Sequence, residues 1–477
     1  MNSISREAGL VLSRKQILVL LLLAVALRLA YVGMVGWFGG DFNNGSDSGK
    51  FIKRALSLLE HGEIVYLDFG VLIPDTARMP GYPYFLAGIF DLFGHERLWI
   101  VSVFQAFIDG STVIAIGFLA GSIDRRWALP AAGLACVWAT LIVYASFVLS
   151  DTLFLAFFTW GLCACVWATR SRHKALLMVA AGISFSLALQ TRTTLMFFPY
   201  LILPVTAYLL WSVSGMRWYR AIVFAAIPAI LIILSVVPQV VRNNANYGHP
   251  VVTTQSGNHA MDVVDQFLRA CPQCIVAGME DQMHGDLKIR LAALPIPEQR
   301  NPVILNGVRR DVALDYLKQL PLSVMIRGTI SGVLRSTSQT AVYETGHQMR
   351  WNPQFFSAIR GDDIAKRIFK FTKTVATDPF MLIWAFAQAA TLLALLFQIV
   401  GTFNGIRRRT ERPYVIFLLA IAAYFLILNG PFGNARYGMP LTPVMAVLTA
   451  AGLLALIDHL RERIEEDGTT ATARPEG

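Results

Sequence analysis

The fold class this sequence predicts is an all-α integral membrane protein with about ten transmembrane helices, and three observations predict it. Of 477 residues, 55% are hydrophobic and only 15% charged, with a mean hydropathy of +0.52, whereas a water-soluble domain carries about 25% charged residues. Apolar runs long enough to cross a bilayer recur along the chain. The short connections between alternate runs are rich in Arg and Lys.

The first run, 16–38, lacks a small-residue cleavage pattern and reads as a retained anchor. Further spans are expected at 98–121, 127–147, 150–169, 175–191, 193–213, 221–241, 379–402, 413–430 and 440–457. With the amino terminus inside, Arg125-Arg126, Arg170 to Lys174, Arg217 to Arg220, Arg407 to Arg412 and Arg461 to Arg463 all fall on the cytoplasmic side, as charge bias requires. The run Pro80 to Gly94 is short and contains two prolines and an Asp, so it reads as re-entrant or interfacial. Were it a span, every later basic connection would change sides.

Four regions follow: an N-terminal transmembrane module, 1–241, with a first outer loop at 39–97; an extracytoplasmic loop region, 242–378; C-terminal transmembrane helices, 379–457; and a cytoplasmic tail, 458–477. The tail after Arg463, acidic and then Thr/Ala-rich, reads as disordered. Within 242–378 the stretch Asp315 to Leu334 reads as an amphipathic helix along the membrane.

Net charge +10 and a pI near 9.5 do not point to nucleic acid, because the cations sit in membrane-flanking turns rather than in aromatic-interleaved stripes. The phosphate-binding Gly-rich loops, His-Glu-x-x-His and Gly-x-Ser-x-Gly are all missing, which argues against a P-loop pump or a hydrolase of those kinds.

Polar residues gather instead at one membrane face. Asp47, Lys50, Asp68, Asp75 and Arg78 lie in the first loop, and Asp151, Arg192, Arg242 and Arg436 sit at the outer ends of different spans. Singly, each has an ordinary reading as a solvated carboxylate or a snorkelling arginine. Together they offer cations for a lipid phosphate and a carboxylate to take a proton. Asp47-Ser48-Gly49-Lys50-Phe51, opening an amphipathic helix that runs Phe51 to His61, places acid and base on one helical turn. Arg28, inside the first span, must face the bundle, with Asp109 or Asp151 as partner, and reads as an interhelical pair.

Of five cysteines, Cys136, Cys163 and Cys165 read as packing residues. Cys271 and Cys274 form Cys-Pro-Gln-Cys in the outer loop, with a loop-bracing disulfide preferred over a redox pair or half of a zinc site; His259 and His284 are zinc candidates by residue type alone.

An ordered series of motifs resembles the polytopic glycosyltransferases of the C-type fold, close to the protein O-mannosyltransferase and lipid A aminoarabinose transferase families. It comprises Asp47 and Phe51 with His61-Gly62, Arg78-Met79-Pro80-Gly81-Tyr82-Pro83, Phe93-Gly94, Ser150-Asp151-Thr152-Leu153, Gln190-Thr191-Arg192-Thr193, Pro238 to Asn243, and Arg436-Tyr437-Gly438-Met439-Pro440-Leu441. The resemblance implies inverting transfer of a sugar from a polyprenyl-phosphate carrier to a lipid, glycan or protein acceptor outside an inner (plasma) membrane. Asp47 would be the catalytic base, with Lys50, Arg78, Arg192, Arg242 and Arg436 on the donor phosphate and Asp75, Asp151, Tyr82 and Tyr437 as further site candidates. No cofactor is implied with certainty, although a divalent metal is compatible with such a site. Two departures bear on acceptor choice: Ser48 follows Asp47 where the family often has a second acid, and Met79-Pro80 replaces a Pro-Pro pair. The alternatives are a flippase or transporter of lipid-linked saccharides, disfavoured by the lack of a repeat between halves, and a non-catalytic relative.

Overall fold

A computed structural model describes residues 11–43, 46–68, 71–270, 278–349 and 377–472, together with 366, 372, 373 and 375. Cys271 and Cys274 lie outside the described residues, so the disulfide expectation is not addressed.

The chain is a multi-pass membrane protein. Helix α1 (Arg14–Trp37) is opened by a capping box in which Ser13 and Gln16 satisfy each other's backbone amides. Helix α2 (Ser46–His61) starts five residues earlier than the sequence suggests, putting Asp47 in its first turn, where the helix dipole favours a carboxylate. An antiparallel hairpin follows, β1 (Val65–Asp68) with β2 (Val71–Pro74), paired Val65 to Pro74. Among the described residues this two-stranded sheet is a small exception within the helical membrane fold that the sequence predicts. The hairpin is only four residues per strand, too short to stand out against helix-forming surroundings, and is held from outside by Arg242.

Helix α3 (Gly81–Phe93) is a 13-residue element ending at Gly94, which takes φ 81°, and is too short to span. Helix α4 (Leu98–Ile123) is a full span. The expected continuous span 127–147 is instead α5 (Ala128–Val137) and α6 (Ala139–Tyr144), broken where Trp138 turns extended at φ −66°, ψ 110°. A break inside a bilayer survives only if protein satisfies the freed carbonyls. Arg28 does so, donating to Cys136 O at 2.5 Å and Ala135 O at 3.1 Å while its Nε holds Asp109 at 2.8 Å. The interhelical pairing with Asp109 was legible; the carbonyl capping was not.

Helices α7 (Asp151–Ala168) and α8 (Lys174–Thr191) form an antiparallel pair, followed by α9 (Phe198–Ser214), which at 17 residues with an internal Pro204 is shorter than the expected span. Helix α10 (Trp218–Ser235) bends at Val236 into α11 (Val237–Tyr247). Next come α12 (Ser256–Ala270), α13 (Met279–Ala292), α14 (Ile296–Gln299), α15 (Pro302–Leu317), α16 (Leu322–Ser338) and α17 (Val342–Gln348). The single helix expected from Asp315 to Leu334 is thus two, because Pro321 interrupts it. Met261, Val264, Leu268, Met283, Val312 and Val324 give these helices a small core of their own.

The chain closes with α18 (Pro379–Arg407), α19 (Arg412–Asn429), the single turn α20 (Ala435–Gly438) and α21 (Thr442–Thr472). Helix α21 carries the tail to Thr472 as helix, where disorder was expected from composition. Among the described residues eight helical segments are long and apolar enough to cross a membrane, fewer than about ten because α9 is short and 127–147 is broken.

Candidate active site

Five charged side chains from four parts of the chain alternate in sign at one end of the bundle. The Asp47 carboxylate accepts from Arg78 at 2.7 Å through Oδ1 and from Arg436 at 2.8 Å through Oδ2. Arg436 bridges onward, its Nε and NH2 reaching Asp151 Oδ2 at 3.1 and 3.0 Å. Arg192 pairs with the other oxygen of Asp151. Lys50 stands at the open edge, 3.9 Å from Asp47 and 54% exposed.

Local structure explains each position. Asp47 rides on the first turn of α2, and Asp151 is the first residue of α7. Arg192 leaves the end of α8 with an extended backbone and lies over the Phe154 ring at 5.7 Å. Arg436 sits on α20, whose start is fixed by Asn434 accepting from Tyr437 N at 2.9 Å, while Asn429 donates to Tyr437 O at 2.9 Å. Arg78 lies over the Phe51 ring, its guanidinium carbon 4.9 Å from the centroid, a cation–π contact that ties it to α2. Phe51 in turn meets Tyr82 edge-on at 4.9 Å.

The other expected residues are placed differently. Tyr82 is fully buried beneath the cluster and donates to Gln105 at 2.7 Å. Asp75 pairs with Arg54 at 2.6 Å and accepts from Ala77 N at 2.7 Å, shaping the turn that delivers Arg78. Arg242 points at the hairpin base, donating to Asp75 O at 3.0 Å and Ile64 O at 3.1 Å. Tyr437 packs against Phe432, with ring centroids 5.4 Å apart. Arg54 and Gln105 escaped the sequence reading; Arg54, four residues after Lys50 on one helical face, is the one a helix-period search would have found.

Burial of Asp47, the strongest single influence, pushes its pKa up, but Arg436 and then Arg78 outweigh it and hold the carboxyl down at about 2, below its ordinary 3.8. A depressed carboxylate stabilises the fold above the unfolded value and loses that contribution as pH falls toward the folded one. Wild type should therefore melt above Asp47→Asn at pH 6, with the gap narrowing as pH drops from about 4 toward 2, which thermal unfolding in detergent measures.

Over this cluster lies α16. Gly328, Gly332 and Ser336 form its buried face, and a Cβ on Gly332 would lie 2.2 Å from Gly430 O. Arg335 donates to Pro431 O at 3.0 Å. The segment leading to Arg436 is thus seated backbone to backbone on the outer lobe. Gly332→Val should destabilise the fold by an overpacking cost of about 1–3 kcal/mol and so lower the melting temperature, while Gly285→Ala on α13, where a Cβ meets nothing within 4 Å, should not.

Helix α12 faces the site from outside: His259 stacks on Phe432 at 5.0 Å, and burial raises the pKa of Asp262, which feels the charges of Lys50 and Asp47. On α12 and α13, ligand atoms of Asp265, Glu280 and His284 lie within 4.8 Å of one another. Among the described residues Asp265 Oδ1 is buried without a well-formed hydrogen bond and faces His284 Nε2 at 3.4 Å, a donor set of the kind a divalent cation takes, although Arg269 already takes Glu280 at 3.1 Å. His284 was a metal candidate by residue type; His259 is not part of this group.

The apo oligosaccharyltransferase of Archaeoglobus fulgidus superposes with a TM-score of 0.53 at 13% identity, covering 97% of this chain and 53% of that one. The fold is that of the C-type glycosyltransferases. AglB from the same organism, in complex with an inhibitory peptide and a dolichol-phosphate, gives 0.51 at 14% identity over 94% of this chain and 52% of that one. The chain therefore spans about half the length of these C-type structures. ArnT from Cupriavidus metallidurans bound to undecaprenyl phosphate gives 0.36 at 16% identity, over 90% and 77%. Residues 75–241 match the family described as dolichyl-phosphate-mannose-protein mannosyltransferase. That stretch of the C-type fold contains Arg78, Asp151 and Arg192. No curated protein matches the chain in sequence.

Proposed function

We propose that this protein is an inverting membrane glycosyltransferase that moves a sugar from a polyprenyl-phosphate carrier to a lipid, glycan or protein acceptor at the extracytoplasmic face of a plasma membrane. The observation that carries the reading is Asp47 clamped between Arg78 and Arg436. The matched family and the lipid-phosphate complex of a fold relative support it. The charge bias of the connections supports an extracytoplasmic position for the cluster.

The donor phosphate takes Arg78 and Arg436, with Lys50 at the open edge, through charge-assisted hydrogen bonds. Asp47 then loses the guanidiniums that depress its pKa, while the burial that raises it remains. Donor binding thereby makes Asp47 a stronger base. As the acceptor's hydroxyl or amine attacks the anomeric carbon, Asp47 removes its proton, the sugar–phosphate C–O bond breaks, and the carrier phosphate leaves with the electron pair, neutralised by the same cations. Asp151 keeps Arg436 and Arg192 in place.

The test is transfer of radiolabelled sugar from a panel of polyprenyl-phosphate sugars by purified protein. Turnover with one donor class is expected. Lipid-linked sugar crossing a vesicle membrane without any transfer would favour the flippase reading instead.

A further inference from the structure

At the opposite end of the bundle a second cationic feature has no role in this chemistry. A cavity of about 660 Å³ opens between the start of α8, the end of α9 and the start of α10, lined by Arg172, His173, Lys174, Arg217 and Arg220. Helix α8 links the two ends: Arg192 follows its last residue, and Lys174 is its first. Eighteen residues at 1.5 Å each place the cavity about 27 Å from the Asp47 cluster.

Charge bias alone accounts for basic residues on this side, but not for how they are left. At the other basic ends, carboxylates are in place: Arg126 holds Asp458 at 2.6 Å, and Arg408 holds Glu411 at 3.2 Å. In the cavity, Arg172, Arg217 and Lys174 hydrogen-bond to groups other than carboxylates. Arg172 meets His173 at 2.9 Å, Arg217 meets Tyr219 OH at 3.2 Å, and Lys174 donates to Ser171 O at 2.7 Å. The walls turn apolar toward the bilayer, with Leu176 and Phe224 in the lining and Leu176 68% exposed. Concentrated positive charge with no carboxylate among the described lining residues, in a concave space beside an apolar wall, is complementary to a phosphate carried on acyl chains.

We propose that this cavity binds the phosphate headgroup of an anionic bilayer lipid on the cytoplasmic side, a site separate from the donor site. The inference does not depend on the glycosyltransferase reading, and its test reads binding rather than transfer. Native mass spectrometry of the full chain, titrated with phosphatidylglycerol or phosphatidylcholine, should show the first phosphatidylglycerol binding at least about tenfold more tightly. Arg172→Gln/Arg217→Gln/Arg220→Gln should remove that preference, whereas Arg407→Gln/Arg409→Gln, at another basic connection, should keep it. Should the triple variant fail to fold, Arg220→Gln alone should weaken the preference several-fold. Equal losses in both sets, no difference between the two lipids, or saturation of the cavity by inorganic phosphate without lipid would overturn the proposal.

Discussion

Asp47→Asn is expected to reduce sugar transfer by about 10²–10⁴-fold, the range for losing a general base, while donor affinity stays level or improves. The second half distinguishes a lost base from a damaged site. Asparagine is nearly isosteric, Arg436 keeps Asp151 at 3.0 Å, and Arg78 loses the one carboxylate it hydrogen-bonds among the described residues, at 2.7 Å, which frees it for phosphate. Lys50→Ala should do the reverse, weakening donor binding with a smaller effect on turnover, because Lys50 is exposed and contributes a point charge at the rim. Single-turnover kinetics with saturating donor separate the two. Unchanged turnover in Asp47→Asn would remove this residue from the chemistry.

Arg28→Met should cost about 3–5 kcal/mol of stability, the penalty for stranding one member of a buried pair. Arg28 and Asp109 are both 0% exposed and 2.8 Å apart, and Asp109 Oδ1 has no hydrogen-bond partner among the described residues. The same substitution uncaps Ala135 O and Cys136 O at the break between α5 and α6. Arg28→Met/Asp109→Leu should recover part of the loss, since it removes the stranded carboxylate, but not the part owed to the carbonyls. Retention of the monodisperse species after heating, followed by size-exclusion chromatography, measures both variants. Equal stability of the double variant and wild type would show that the carbonyl caps contribute little.

Much of the site was legible because charges at a membrane surface are few and each needs a reason. Asp47, Lys50, Arg78, Asp151, Arg192 and Arg436 were all singled out, and the fold brings them within one chain of contacts. Arg242 was selected on the same grounds, yet its guanidinium is spent on the hairpin carbonyls. From sequence the two uses of an arginine look identical, since a backbone carbonyl and a lipid phosphate attract the same donors. The hairpin was itself missed, so nothing signalled that Arg242 had a local partner.

What the sequence determined by itself is whatever the bilayer acts on residue by residue: which runs enter it, which ends stay out, and that Arg28 must turn inward. Hydration energy is a property of each side chain, and the chain's order records it. Tertiary structure decided the rest: that 127–147 breaks at Trp138 because Arg28 is there to cap it, and that Asp47 and Arg436, 389 positions apart, share a hydrogen bond. Pairing energies depend on which helix ends meet, and that is set by packing on surfaces such as the small-residue face of α16, where a close approach of two backbones leaves no hydropathy signal.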